Sequence, residues 1–171
     1  MLVTNSKNLF NKIEDLMQYD KRKKYKVAYN YGLSDIQAAL GISQLNKLPF
    51  FIKRRKQIAK KYNKAFKELP ITLPPNSKDS FPYRYILKFK DKKSRDALEN
   101  YLKKQNIGVD KPVFKPLHQY LNLNPKDFPN TEKVHKTTLS IPIYPALTDK
   151  EVDYIIKPIR DFFKKSPRNI P

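Results

Sequence analysis

The sequence predicts an α/β chain: a small α+β domain that carries a long helical arm. Three observations predict it. Apolar residues recur at three- and four-residue spacing from Ser34 to about Leu69, and the period switches to two over Tyr83–Phe89. Helical and extended patterns then alternate to the end of the 171-residue chain. The boundaries read as strand, helix and loop over residues 1–33 and a long helix over 34–69. An α+β domain follows over 70–165, then a frayed tail over 166–171.

Each element has a local cause. "MLVT" is a short β-like run with no cap or turn ahead of it, so it reads as a strand cut from a larger sheet. In "NSKNLFNKIEDLMQY", Leu9, Ile13 and Leu16 share a helical face, with Asn5 or Ser6 as cap. "DKRKKYK", Asp20 to Lys26, has no hydrophobic period and reads as an exposed, mobile loop. Ser34 and Gln37 form a capping box at the start of the long helix. Pro49 lacks a backbone N–H and should kink that helix or divide it into two pieces. From Leu48 on, Leu48, Ile52, Ala59, Tyr62, Phe66 and Leu69 make one face, and Lys53, Lys56, Lys60, Lys64 and Lys67 the opposite stripe.

"ITLPPNSKDSFP" is a connector, and "YRYILKF" is a half-buried strand. "SRDALENYLKKQNIG" reads as a capped helix with Gly108 as the left-handed residue after it. "VDKPVFKPLHQYL" is extended and broken by Pro112 and Pro116, and "NTEKVHKTTLSIPIYPALT" runs from a short helix into an extended stretch. The last helix opens on a second capping box, Thr148 with Glu151. It presents Val152, Ile155, Ile156, Ile159 and Phe163 on one face, with its centre disturbed by Pro158.

Composition narrows the chemistry. The 39% of hydrophobic residues, with 11 Tyr and 10 Phe, suffices for a folded core and argues against disorder. With no cysteine, disulfides and thiolate metal sites are excluded, and the only two histidines, His118 and His135, have no second ligand near them. No metal site is expected. No apolar run reaches the roughly 18–20 residues that span a bilayer, and no signal peptide is visible, so the expected compartment is the cytoplasm. The net charge of +20 attracts polyanions such as nucleic acid, acidic membrane or nucleotide-linked substrates. Compositional drift toward Lys is the plainer account, because Arg, which reads phosphates and bases bidentately, is scarce.

With only three glycines there is no glycine-rich phosphate loop, and neither a Gly-x-Ser-x-Gly elbow nor a His-Glu-x-x-His helix is present. Two positions stand out. Asn30 precedes a capped helix, where its amide is either a turn brace or an anion donor; His118, in "FKPLHQY", is either structural or a substrate contact.

Taken in order, "YNYGLSDIQAALGISQLNKL", "RRKQIAKKYNKAF", "GVDKPVFKPLHQYL", "FPNTEKV" and "LSIPIYPALTDKEVDYII" resemble the C-terminal part of the DegT/StrS-type sugar aminotransferases. These are pyridoxal-phosphate (PLP) enzymes of the aspartate-aminotransferase fold, fold type I, and the resemblance runs from residue 1 to about residue 163. It implies that residues 1–33 end the large PLP domain, that 34–69 form the interdomain helix and that 70–165 form the small domain. Asn30 matches the asparagine that reaches a neighbouring subunit's cofactor phosphate, while Gly32 stands where the family often has Arg. His118 matches a residue of the substrate-facing edge, a candidate contact for the sugar or its diphosphate, and Arg84 is a candidate for an anionic substrate.

No lysine here matches the Schiff-base segment. The resemblance therefore implies a truncated or split sugar-nucleotide aminotransferase, inactive alone and not binding PLP by itself. Its partner would be an N-terminal large-domain polypeptide or a second copy, and its substrate a nucleotide sugar of cell-surface polysaccharide biosynthesis. The alternatives are a basic nucleic-acid-binding or regulatory module, with unspecific binding, and a non-catalytic oligomerisation partner of a full-length paralogue.

Overall fold

The computed structural model describes residues 2–75 and 80–165, with side chains as far as Lys164. The expected strand start at Met1, the centre of the connector and the tail from residue 166 lie outside the described residues. The chain forms two compact units, Met1–Lys47 and Leu48–Pro171.

In the first unit, helix α1 spans Lys7–Met17, with Ser6 as N-cap accepting the Leu9 N–H. Leu2–Thr4 are not a strand: Leu2 and Val3 are 77% and 82% exposed, and a strand edge with no ladder partner has nothing to hold it. The basic loop after α1 is exposed as expected, yet it is tied at one point. Lys26 and Arg22 converge on Asp15 and hold its carboxyl below the ordinary range. Helix α2, Asp35–Phe66, begins on the predicted capping box: Ser34 N–H donates to Gln37 Oε1 at 3.0 Å and Gln37 N–H to Ser34 Oγ at 3.3 Å.

The sequence reading has Pro49 kink α2 or divide it; the structure keeps all 32 residues in one helix, so the division does not occur. Proline removes a single backbone bond, and intact turns on either side carry the helix past it. On its first half Ile36, Leu40, Ile42 and Leu45 are between 62% and 83% exposed. Such a run of uncovered apolar side chains favours association. The full chain is expected to self-associate in sedimentation velocity, and removal of residues 1–45 to relieve it; a monodisperse full-length monomer would contradict this.

The second unit is built on a two-stranded antiparallel sheet. Strand β1, Tyr85–Lys88, pairs with a strand at Thr138–Ile141, which is β2 below, in the register Tyr85–Ile141 to Lys88–Thr138. Single bridges from Thr72 to Lys88 and from Asp110 to Ser140 widen it on both edges. β1 is shorter than the predicted Tyr83–Phe89. The cause is Arg55 of α2, whose guanidinium takes the Tyr83 and Ile143 carbonyls at 2.8 and 2.6 Å and so closes the end of the ladder.

Helix α3, Lys92–Lys104, starts on Asp91, which accepts the Ser94 N–H at 2.8 Å. The left-handed residue that closes it is Asn106, not the predicted Gly108. Asn106 takes the left-handed conformation (φ 57°), and the N–H groups of Ile107 and Asn106 return to the Leu102 and Lys103 carbonyls. A one-turn helix α4, Leu117–Tyr120, a 3-10 turn at Pro125–Asp127 and helix α5, Pro129–Thr137, lead into β2. Helix α6, Asp149–Lys165, carries the predicted second capping box: Thr148 N–H meets Glu151 Oε2 at 2.7 Å, and Glu151 N–H meets Thr148 Oγ1 at 3.3 Å. Pro158 does not break α6, because its apolar face is buried on both sides of that residue, from Val152 to Phe163. The core gathers Ile58, Tyr62 and Phe66 from α2, Tyr85 and Leu87 from β1, Leu98 and Leu102 from α3, Leu139 and Ile141 from β2, and the α6 face.

Candidate functional site

Asn30 lies on the exposed segment between α1 and α2, flanked by Tyr29 and Tyr31, whose rings stack at 5.2 Å. The segment is anchored by Tyr29 N–H to the Leu16 carbonyl at 2.7 Å. Among the described residues no hydrogen bond uses the Asn30 side chain, so its amide is available to a ligand. The start of α2 offers an anion little else. The Gln37 N–H is taken by Ser34, and the Asp35 carboxylate stands in the first turn. A Cβ on Gly32 would meet Asn30 Oδ1 at 3.9 Å, an ordinary contact, so nothing spatial requires glycine there.

His118 is enclosed rather than open to solvent, at 4% exposure. Its Nε2 lies 2.9 Å from Glu132 Oε1, and its ring stacks on Phe128 at 4.7 Å. An ionised carboxylate only accepts, so Nε2 carries the hydrogen in this pair. Glu132, in the first turn of α5, also accepts from Lys136 at 2.9 Å and from Gln119 Nε2 at 2.6 Å. Lys136, Gln119 and His118, in that order, hold its carboxyl down at about 2. The other histidine, His135, has Nε2 3.2 Å from the Phe114 carbonyl. Both histidines thus tie the 113–120 stretch to α5. Sequence reasoning missed Glu132, Gln119 and Lys136; a Glu fourteen residues beyond a His gives no periodic signal.

The Glu132 network makes stability depend on acid. Its carboxyl titrates lower when folded than the ordinary value of about 4.3, so folding favours the ionised form. That contribution is complete above about pH 4.5 and is lost as pH falls toward 2, where both states become protonated. Glu132→Gln should flatten the acid limb of thermal midpoint against pH over that interval; an unchanged limb would show that Glu132 is not its source.

Arg84 is exposed just before β1, its guanidinium 5.8 Å from the centre of the Tyr83 ring. It borders a concave surface of about 710 Å³ shared with Tyr83, Asp110, Tyr144 and Tyr154. His118 does not line that surface, so the structure does not bring these two candidates together. Asn30 belongs to the other compact unit.

Residues 1–160 match the DegT/DnrJ/EryC1/StrS aminotransferase family. The chain belongs to that family. Among relatives, it is 35% identical over 149 residues to the spore coat polysaccharide biosynthesis protein SpsC of Bacillus subtilis, covering 80% of this chain and 38% of that protein. It is 28% identical over 172 residues to GDP-perosamine synthase of Escherichia coli O157:H7, covering 95% and 47%. Of solved structures, the aminotransferase TlmJ from Streptoalloteichus hindustanus shares the fold with a TM-score of 0.80 at 23% identity, over 96% of this chain and 47% of that one. A DegT/DnrJ/EryC1/StrS aminotransferase from Brucella abortus does so at 0.75 and 27%, over 93% and 44%. The chain therefore spans less than half the length of these relatives.

Membership in this DegT family accounts for the helix-rich architecture around a small sheet, which is part of the α/β fold of the PLP-dependent sugar aminotransferases. No described helix of this family member is long and apolar enough to cross a membrane.

Proposed function

We propose that these residues form the C-terminal half of a PLP-dependent sugar-nucleotide aminotransferase, and that amino transfer requires large-domain residues outside this span. The observation that carries this reading is the family match over residues 1–160 in a chain less than half as long as its relatives. When bound, pyridoxal phosphate supplies the electron sink for moving an amino group from glutamate to a keto-sugar nucleotide. The donor set here fits one share of a phosphate site, the free amide of Asn30. It does not fit the whole cofactor, and no lysine of the chain matches the family's catalytic segment.

Arg84 is the candidate contact for the anionic substrate, since it is exposed, permanently charged and set on a concave surface. His118 fixes the Leu117–Tyr120 turn through Glu132, as a positioning residue away from the Arg84 surface. The product class, an amino sugar for cell-surface polysaccharide, follows the names of the relatives.

The test is amino transfer from glutamate to a keto-sugar nucleotide with added cofactor. The chain alone is expected to give none, and co-expression with a large-domain polypeptide from a relative to restore it. In the restored enzyme Asn30→Ala should raise the cofactor concentration for half-maximal rate roughly tenfold or more, the loss of one charge-assisted hydrogen bond. The same substitution should leave folding stability within about 0.5 kcal/mol, because the side chain is exposed and makes no contact to lose. Transfer by the unaided chain would overturn the reading.

A further inference from the structure

Between Asp35 and Glu68 the chain has nine Lys or Arg and neither Asp nor Glu. Drift toward lysine would act on every helix. The other long helices nonetheless keep their acids: Glu14 and Asp15 in α1, Asp96 and Glu99 in α3, and Asp149 through Asp161 in α6. Solvated helix faces ordinarily mix both signs, so the missing acids, more than the abundant lysines, set α2 apart.

Seven of these nine cations fall into two groups in the structure. Arg54, Arg55 and Lys61 turn toward their own domain, bonding the Leu147, Tyr83 and Ile143 carbonyls and pairing with Asp149 and Asp153. Lys53, Lys60, Lys64 and Lys67 are exposed and enter no ion pair among the described residues. They run along about 21 Å of one helix face at 1.5 Å per residue, with successive charges at steps of one to two turns. Beside Lys60, the half-exposed Phe81 ring and Arg84 line a groove of about 570 Å³.

We propose that this face of α2 binds the phosphate backbone of single-stranded nucleic acid, without reading sequence. A single file of lysine point charges matches a single file of phosphates, and an aromatic ring beside it offers a base a place to stack. Lysine lacks the bidentate fork that base reading uses, so sequence preference is not expected. An acidic membrane is a poorer fit. Insertion needs an apolar helix face free to enter the bilayer beside the charges, and along Lys53–Lys67 the apolar residues Ile58, Tyr62 and Phe66 are at most 1% exposed in the core.

The test is fluorescence anisotropy of the full chain with a labelled oligo-dT strand across a salt series. Lys53→Gln/Lys60→Gln/Lys64→Gln is compared with Lys104→Gln/Lys126→Gln/Lys150→Gln, which removes equal charge from exposed lysines elsewhere, and circular dichroism checks that both fold. The α2 triple variant is expected to reduce the slope of log K against log salt by about 2, at roughly 0.7 per single-strand phosphate contact. The control triple variant should leave that slope unchanged. Equal weakening by both would show bulk charge alone and overturn the site. Binding to phosphatidylserine vesicles without binding to oligo-dT, or a strong preference among homopolymer sequences, would overturn it as well.

Discussion

Tyr62→Ala is expected to lower the stability of the second unit by about 4 kcal/mol, in the middle of the range for aromatic core truncations. Tyr62 is completely buried, stacks on Phe66 at 5.6 Å and meets the Tyr85 ring edge-on at 4.9 Å. It thus joins α2 to the sheet through an aromatic trio, and truncation leaves a ring-sized cavity at that junction. Its hydroxyl donates to the Pro142 carbonyl at 2.8 Å. Burial, then Tyr85 and Tyr144 nearby, push the phenol's pKa well up, so it stays a donor at any physiological pH.

Tyr62→Phe keeps the ring and leaves that carbonyl unpaired, which should cost about 1–2 kcal/mol. The difference between the two variants separates packing from hydrogen bonding. Urea unfolding followed by circular dichroism reads both as midpoint shifts at constant slope. Ile36→Ala, at an 83% exposed position, is the comparison and should move stability by less than about 0.5 kcal/mol. Equal losses at Ile36 and Tyr62 would mean that the aromatic trio is not the centre of the core.

What could be read ahead of the structure was what local chemistry decides. Ser34 with Gln37 and Thr148 with Glu151 are three-residue patterns, and both boxes form. The Val152–Phe163 face repeats with the helical period and is buried throughout. The errors arose where a distant residue decides. Glycine at 108 is the better left-handed residue in isolation, but Leu102 and Ile107 are both core residues, and burying them ends α3 two residues earlier. β1 begins no earlier than Tyr85 because Arg55, 28 positions before Tyr83, takes the Tyr83 carbonyl.

The candidate site divides the same way. Asn30 announces itself by its place before a cap, whereas His118 looked like an edge residue. Its enclosure depends on Phe128 and Glu132, which no spacing rule connects to it.

Arg95 shows how far such nonlocal contacts reach. It is 2% exposed on α3, and its guanidinium meets Glu99 at 2.6 Å, Asp96 at 2.9 Å and the Lys136 carbonyl at 3.3 Å. Lys136 is in the last turn of α5, where carbonyls have no helical partner, so one side chain satisfies two acids and closes a helix end. Arg95→Ala should cost about 3–5 kcal/mol, because Glu99, largely buried, is left with Lys103 alone and the carbonyl with nothing.

Arg95→Lys should recover only part of that, since one ammonium cannot span three acceptors held by a planar fork. Arg95→Met with Glu99→Met removes the inner pair together and should be less destabilised than Arg95→Met alone, with a coupling energy of about 1–3 kcal/mol in denaturant melts. Additive losses would show that the two side chains contribute by packing and not as a pair. The α3–α5 junction would then depend on its apolar contacts, with the buried charge as a passenger.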